Sequence, residues 1–124
     1  MKRLLAAAIL LVTVISVYLY SYFYINKTCD TAKKLLDECT AAYNNGTDAE
    51  AKAKKLEKYW TDKEKPLSVI TNHESIDEIE RAISTLLIYS ATEEKEIFNE
   101  YSGTVSTLLH QLIEDTVPSV HSIM

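Results

Sequence analysis

Apolar positions along this chain fall into two regimes. From Leu4 to Ile25 they are nearly continuous and no residue is charged. From Ile25 onward they recur every three or four residues, the period of one helix face. About 20 apolar residues in a helix cross the roughly 30 Å hydrocarbon core of a bilayer. The first regime therefore predicts a transmembrane helix, and the second a small helical bundle attached to it.

Ile25, Cys29, Ala32, Leu36, Cys39 and Tyr43 alternate spacings of four and three, with no Pro or Gly between them. This a/d seam predicts that the membrane helix runs straight on into the first helix of the bundle. Asn44-Asn45-Gly46 supplies a left-handed stop. Thr47-Asp48-Ala49-Glu50 fits a capping box, with Thr47 reaching forward and Glu50 back. It opens a second helix with Ala49, Ala53, Leu56 and Trp60 on one face, and Pro66 stops or kinks that helix. A third helix is predicted over about 67–89, its stripe made by Val69, Ile76, Ile79, Ile83, Leu86 and Leu87. Thr92-Glu93-Glu94 resembles an N-cap with acids in the first turn. The fourth helix carries Ile97, Phe98, Tyr101, Val105, Leu108, Leu112 and Ile113. Gly103 inside it marks a close helix contact, and Pro118 ends it.

The fold class is thus all-α: an N-terminal transmembrane helix continuing into an antiparallel bundle of about four helices. The expected divisions are 1–25 as anchor, 26–117 as bundle and 118–124 as a short tail. Only 2 Gly and 2 Pro among 124 residues argue against a turn-rich β architecture.

The end of the apolar run separates an anchor from a cleaved signal. It reads Tyr18, Tyr20, Tyr22, Phe23, Tyr24, where a signal peptide needs small residues. Aromatic rings instead suit the headgroup interface. Lys2 and Arg3 place the N-terminus in the cytoplasm and the bundle outside, against the weaker opposing pull of Lys27, Lys33 and Lys34.

Net charge is -5, unevenly spread. Residues 66–124 carry ten acids against Arg81 and Lys95 alone. That excludes a nucleic-acid binder, which needs clustered Lys and Arg. Solubility, a cationic partner or a divalent metal each fit it.

One polar cluster stands out. On a helix His73, Asp77 and Glu80 share a face, and imidazole plus carboxylates is a plausible metal shell. His73-Glu74 also matches the start of the zinc-protease motif, but Asp77 stands where that motif needs its second His. A further ligand would come from His110 or His121. The alternative is that His73 and Asp77 form a helix-surface or inter-helix hydrogen bond, with Trp60 or the lysines of the second helix nearby. No complete catalytic set is present, so the expectation is a protein that is not an enzyme and has no cofactor.

Cys29 and Cys39 lie about 15 Å apart on a continuous helix, too far for a disulfide. They read as buried apolar side chains or, for Cys29, as a bond across a dimer. Trp60 reads as core, with a partner hot spot as its alternative.

Ser21-Tyr22-Phe23-Tyr24-Ile25-Asn26-Lys27, then Lys55-Leu56-Glu57-Lys58-Tyr59-Trp60, then the run from Leu67 to Glu80 together resemble a family of short, single-span, mostly bacterial proteins known only as a domain of unknown function. The most specific part of the likeness is Trp60 followed by His73, Glu74, Asp77, Ile79 and Glu80. The resemblance implies a membrane-anchored helical domain of bacterial origin with an accessory role, those residues forming its structural or interaction motif. Expected partners are the bilayer and a membrane protein or second copy of the chain, in the cell envelope. A metal-binding or sensing domain is the alternative function.

Overall fold

The structure, a computed structural model, describes residues 1–116. The expected tail over 118–124 and His121 lie outside them. Four helices follow one another: α1 (Lys2–Asn44), α2 (Ala49–Ile70), α3 (His73–Ser90) and α4 (Lys95–Thr116). Each packs on the next and α4 returns to α1, giving an up-down-up-down bundle.

α1 is one unbroken helix of 43 residues, about 65 Å long. Its two halves differ in their surroundings. Residues 2–20 are exposed throughout, and this part is long and apolar enough to cross a membrane. Burial starts at Ser21 and becomes complete at Ile25. From there Ile25, Cys29, Ala32, Leu36 and Cys39 are all core, as the seam predicts, so α1 is the spine of the bundle. Residues spaced alternately by three and four on a helix stay on one stripe, and burying that stripe holds the helix more firmly than its intrinsic propensity does.

The end of α1 distal to the apolar half is closed by several small contacts. Tyr43 stacks on Phe98 of α4 at 3.9 Å between ring centres, and its hydroxyl donates to the Thr92 carbonyl at 3.0 Å. The hydroxyls of Thr40 and Ser102 meet at 2.8 Å. Gly46 takes the left-handed conformation, φ 71°, that turns the chain back. The α2 cap differs from the expected box. Asp48 is the N-cap and accepts from the Ala51 N–H. Thr47 donates its hydroxyl backward to the Ala42 carbonyl instead. That carbonyl also accepts the Thr47 backbone N–H at 2.9 Å, so Thr47 closes the end of α1 twice over while the Asp48 carboxylate caps the next helix.

The boundary between α2 and α3 also differs from the expectation. α2 passes through Pro66 to Ile70, and α3 begins at His73 with Asn72 as its cap, accepting from the Glu74 N–H at 2.9 Å. Proline in a helix loses one backbone bond and crowds the preceding turn. Here Leu67, completely buried, holds that last turn against the core, and Pro66 itself faces solvent. Starting α3 six residues later than expected removes Val69 from its stripe. Val69 is 84% exposed.

Gly103 is exposed and has no neighbour within 4 Å of where a Cβ would stand, so it marks no close contact. Its replacement by Ala removes only the entropic cost of Gly in a helix interior. Gly103→Ala is expected to raise unfolding free energy by about 0.5–1 kcal/mol, read from denaturant midpoints. Gly46→Ala should lower it, because of the positive φ.

Candidate functional site

The α2–α3 hairpin gathers most of the residues that the sequence singles out. Trp60 lies wholly inside the bundle, and its indole N–H donates to the Ile76 carbonyl at 3.3 Å. It ties α2 to α3 from within the core and presents no surface to a partner.

His73 and Glu74 open α3 and are exposed, Glu74 in the first turn where the helix dipole favours an acid. Asp77 is exposed one turn on, and Glu80 is half-buried. Among the described residues no group of three or more His, Cys, Asp or Glu side chains could hold a metal ion. The expected metal face of His73, Asp77 and Glu80 is therefore not assembled. The physical reason is spacing along the axis: i to i+7 is about 10 Å, so a shared face does not bring the outer two side chains together. Glu80 also turns toward α2 and away from His73. His110, the other candidate ligand, pairs with Glu114 on the surface of α4 at 3.1 Å.

The partner of Glu80 is Glu64, on the last turns of α2. The two carboxyls face each other, and Asp77 adds its charge nearby. Burial, then the hydrogen bond to Glu80 that a proton on Glu64 would supply, then the charges of Glu80 and Asp77 push the Glu64 pKa up to about 7. Its Oε1 is buried and has no hydrogen-bond partner. Glu64 stands sixteen residues from Glu80 on a different helix. No periodicity within either helix signals the pair, which is why the sequence reading misses it.

The pair makes stability pH-dependent. An unfolded Glu titrates near 4.5, so between about 4.5 and 7 the folded chain binds the extra proton. Stability then falls as pH rises through that window. The site is only half-buried, and solvent reduces the effect to about 1 kcal/mol between pH 5 and 8. Glu64→Gln keeps the shape and supplies a permanent donor. It is expected to flatten that pH dependence and to stabilise the protein at pH 8, measured by thermal unfolding across the range.

Cys29 and Cys39 are both free and both buried. Burial pushes the Cys29 thiol up to about 12 and that of Cys39 to about 11. Cys29 sits under α4, beside Leu109 and Ile113, in a small depression of about 160 Å³. A bond from Cys29 to a second copy would require opening the bundle. The Cys39 thiol donates to the Ala49 carbonyl at 3.6 Å, across the top of α1 and α2.

The surface depressions are shallow. One of about 370 Å³ lies at the distal end among Tyr43, Thr47, Ser90 and Lys95. Another of about 480 Å³ runs between α3 and α4, with Glu78 and Glu100 on its rim and Leu108 in its floor.

These features define a class: a helical bundle built on the distal half of a long N-terminal helix whose proximal half is bare and apolar. Within that class the chain belongs to the family described as a domain of unknown function, DUF4363, whose model matches residues 19–123. The match begins where the bare part of α1 ends and the bundle's contacts start. No curated protein and no solved structure matches the chain.

Proposed function

We propose that this protein is a membrane-anchored structural or interaction module of the bacterial cell envelope, acting as an accessory to another envelope protein and not as an enzyme. In this reading α1 crosses the membrane once, with Lys2 and Arg3 on the cytoplasmic side, and the bundle stands outside. The observation that carries it is the continuity of α1: its bare apolar half and the spine of the bundle are one helix. A tether needs only a flexible joint. A rigid one fixes where the bundle's surface is presented.

The bundle surface supports the same reading. The residues that fill its interior are apolar side chains, with Trp60 and Phe98 among the largest. The acids of α3 and α4, including Glu78, Glu93, Glu96 and Glu100, stand in solvent, where a partner with a basic surface would meet them. Crosslinking in native membranes tests the proposal. A reproducible adduct, with a second copy or another membrane protein, is expected. If the chain runs alone under conditions that capture known complexes, the interaction role fails. An impermeant thiol reagent reacting with Ala91→Cys in intact cells would fix the bundle outside.

A further inference from the structure

We propose that the tip of the α2–α3 hairpin, Pro66 to Asn72, rests in the membrane interface beside the tyrosine-rich end of α1, with Val69 against the boundary between headgroups and acyl chains. This rests on α1 being a membrane span, and it gives the bundle a second point of contact with the lipid.

The argument starts from register. The Cys39 thiol meets the Ala49 carbonyl at one end of the α1–α2 pair. Near the other, the Lys63 ammonium lies 5.8 Å from the centre of the Tyr24 ring. Both contacts give the same antiparallel alignment, in which Val69 stands level with Tyr18 or Leu19. The Thr40–Ser102 bond aligns α4 so that Thr116, its last described residue, is level with Asn26. The hairpin tip therefore lies about 11 Å further toward the N-terminus of α1 than Thr116 does.

The bare part of α1, residues 2–20, is about 28 Å long, close to the hydrocarbon thickness of a bilayer. The outer interface then falls at about Tyr20, the level of the tip. The chemistry of the tip suits that place. From Pro66 to Asn72 it has no charged residue. Val69 is 84% exposed, a large apolar side chain with nothing from the bundle covering it. The turns at the opposite end carry Asp48, Glu93 and Glu94 instead.

Lys63 and Lys65 flank the tip on α2, where their apolar stems lie along the interface and their ammonium groups meet anionic headgroups. On the α3 side, His73, Glu74 and Asp77 are exposed. They limit the contact to a shallow one, as with interfacial helices that sink only one face.

Depth-dependent quenching tests this on the full chain in vesicles of phosphatidylethanolamine and phosphatidylglycerol. Three single variants, Val69→Cys, Leu11→Cys and Ala91→Cys, carry an environment-sensitive fluorophore, with labelled wild type as the blank for the buried native thiols. The lipids carry nitroxide quenchers. The Val69 probe is expected to be quenched roughly threefold more than the Ala91 probe, with a blue-shifted emission. If the Val69 probe behaves like Ala91 while Leu11 is strongly quenched, the hairpin proposal is overturned and the membrane span stands. If Leu11 is not quenched either, the span itself fails and takes this proposal with it.

Discussion

Trp60→Ala is expected to destabilise the bundle by about 3–5 kcal/mol, the largest effect of any single substitution considered for its interior. The indole is completely buried between α2 and its neighbours. Its removal leaves a cavity that the surrounding core side chains, already packed, can only partly fill. Domains of this size are stable by only about 5–15 kcal/mol, so the variant should lose a large share of its cooperative unfolding transition. Trp60→Phe separates the two contributions of the indole. It keeps most of the ring volume and loses the donor to the Ile76 carbonyl. A cost of about 1–2 kcal/mol is expected for it. Urea unfolding followed by circular dichroism measures both. If Trp60→Ala costs less than 1 kcal/mol, the indole is not the keystone of the α2–α3 contact.

The second large effect lies at the junction in α1. Lys27→Pro is expected to cost about 3 kcal/mol or more, although the Lys27 side chain itself is exposed. The ring would remove the N–H that bonds to the Phe23 carbonyl and would press against that carbonyl. The helix would then bend between its bare half and the spine of the bundle. Lys27→Ala, which keeps the backbone intact, should be close to neutral. The contrast isolates helix continuity from side-chain packing. Replacing the apolar stretch before Tyr18 with another apolar helix should leave bundle stability unchanged, because the bundle does not touch it. A flexible insertion after Asn26 should act as Lys27→Pro does on orientation. If the insertion leaves partner crosslinking intact, the rigid joint has no functional role.

The spine was the most legible element in the sequence. Ile25, Cys29, Ala32, Leu36 and Cys39 announce themselves by spacing alone, and all are core. Periodicity worked there because one long helix contributes one continuous stripe. It fails at the α2–α3 boundary, where a local signal opposes a tertiary one. Pro66 argues for a helix end, yet burial of Leu67 on the next position outweighs that preference and carries the helix on to Ile70. Val69 therefore belongs to the last turn of α2 and not to the stripe of α3. Capping was readable in kind but not in detail, since Thr47 and Asp48 can both cap and only the neighbouring Ala42 carbonyl decides between them. Leu109 is the buried residue on α4, while Leu108 beside it fits the same spacing almost as well, so spacing does not separate the two.

The candidate site was less legible than the fold. The run from His73 to Glu80 is a linear cluster, and a linear cluster shows only one side of a contact. Glu64, which enters from α2 and faces Glu80, supplies the other side. Nothing in the spacing of either helix predicts which acid on one will face which acid on the other.

The unbroken α1 has a mechanical consequence. A helix that is bare for one half and clamped into a bundle for the other behaves as a lever with its fulcrum near Tyr22. Helices in bilayers tilt by about 20° on average and tilt more where the bilayer is thin. The arm from Ser21 to Asn44 is about 36 Å long, so such a tilt would sweep the distal turns sideways by about 12 Å. With α1 as the proposed membrane span, bilayer thickness would in this way be converted into the lateral position of the acidic surface.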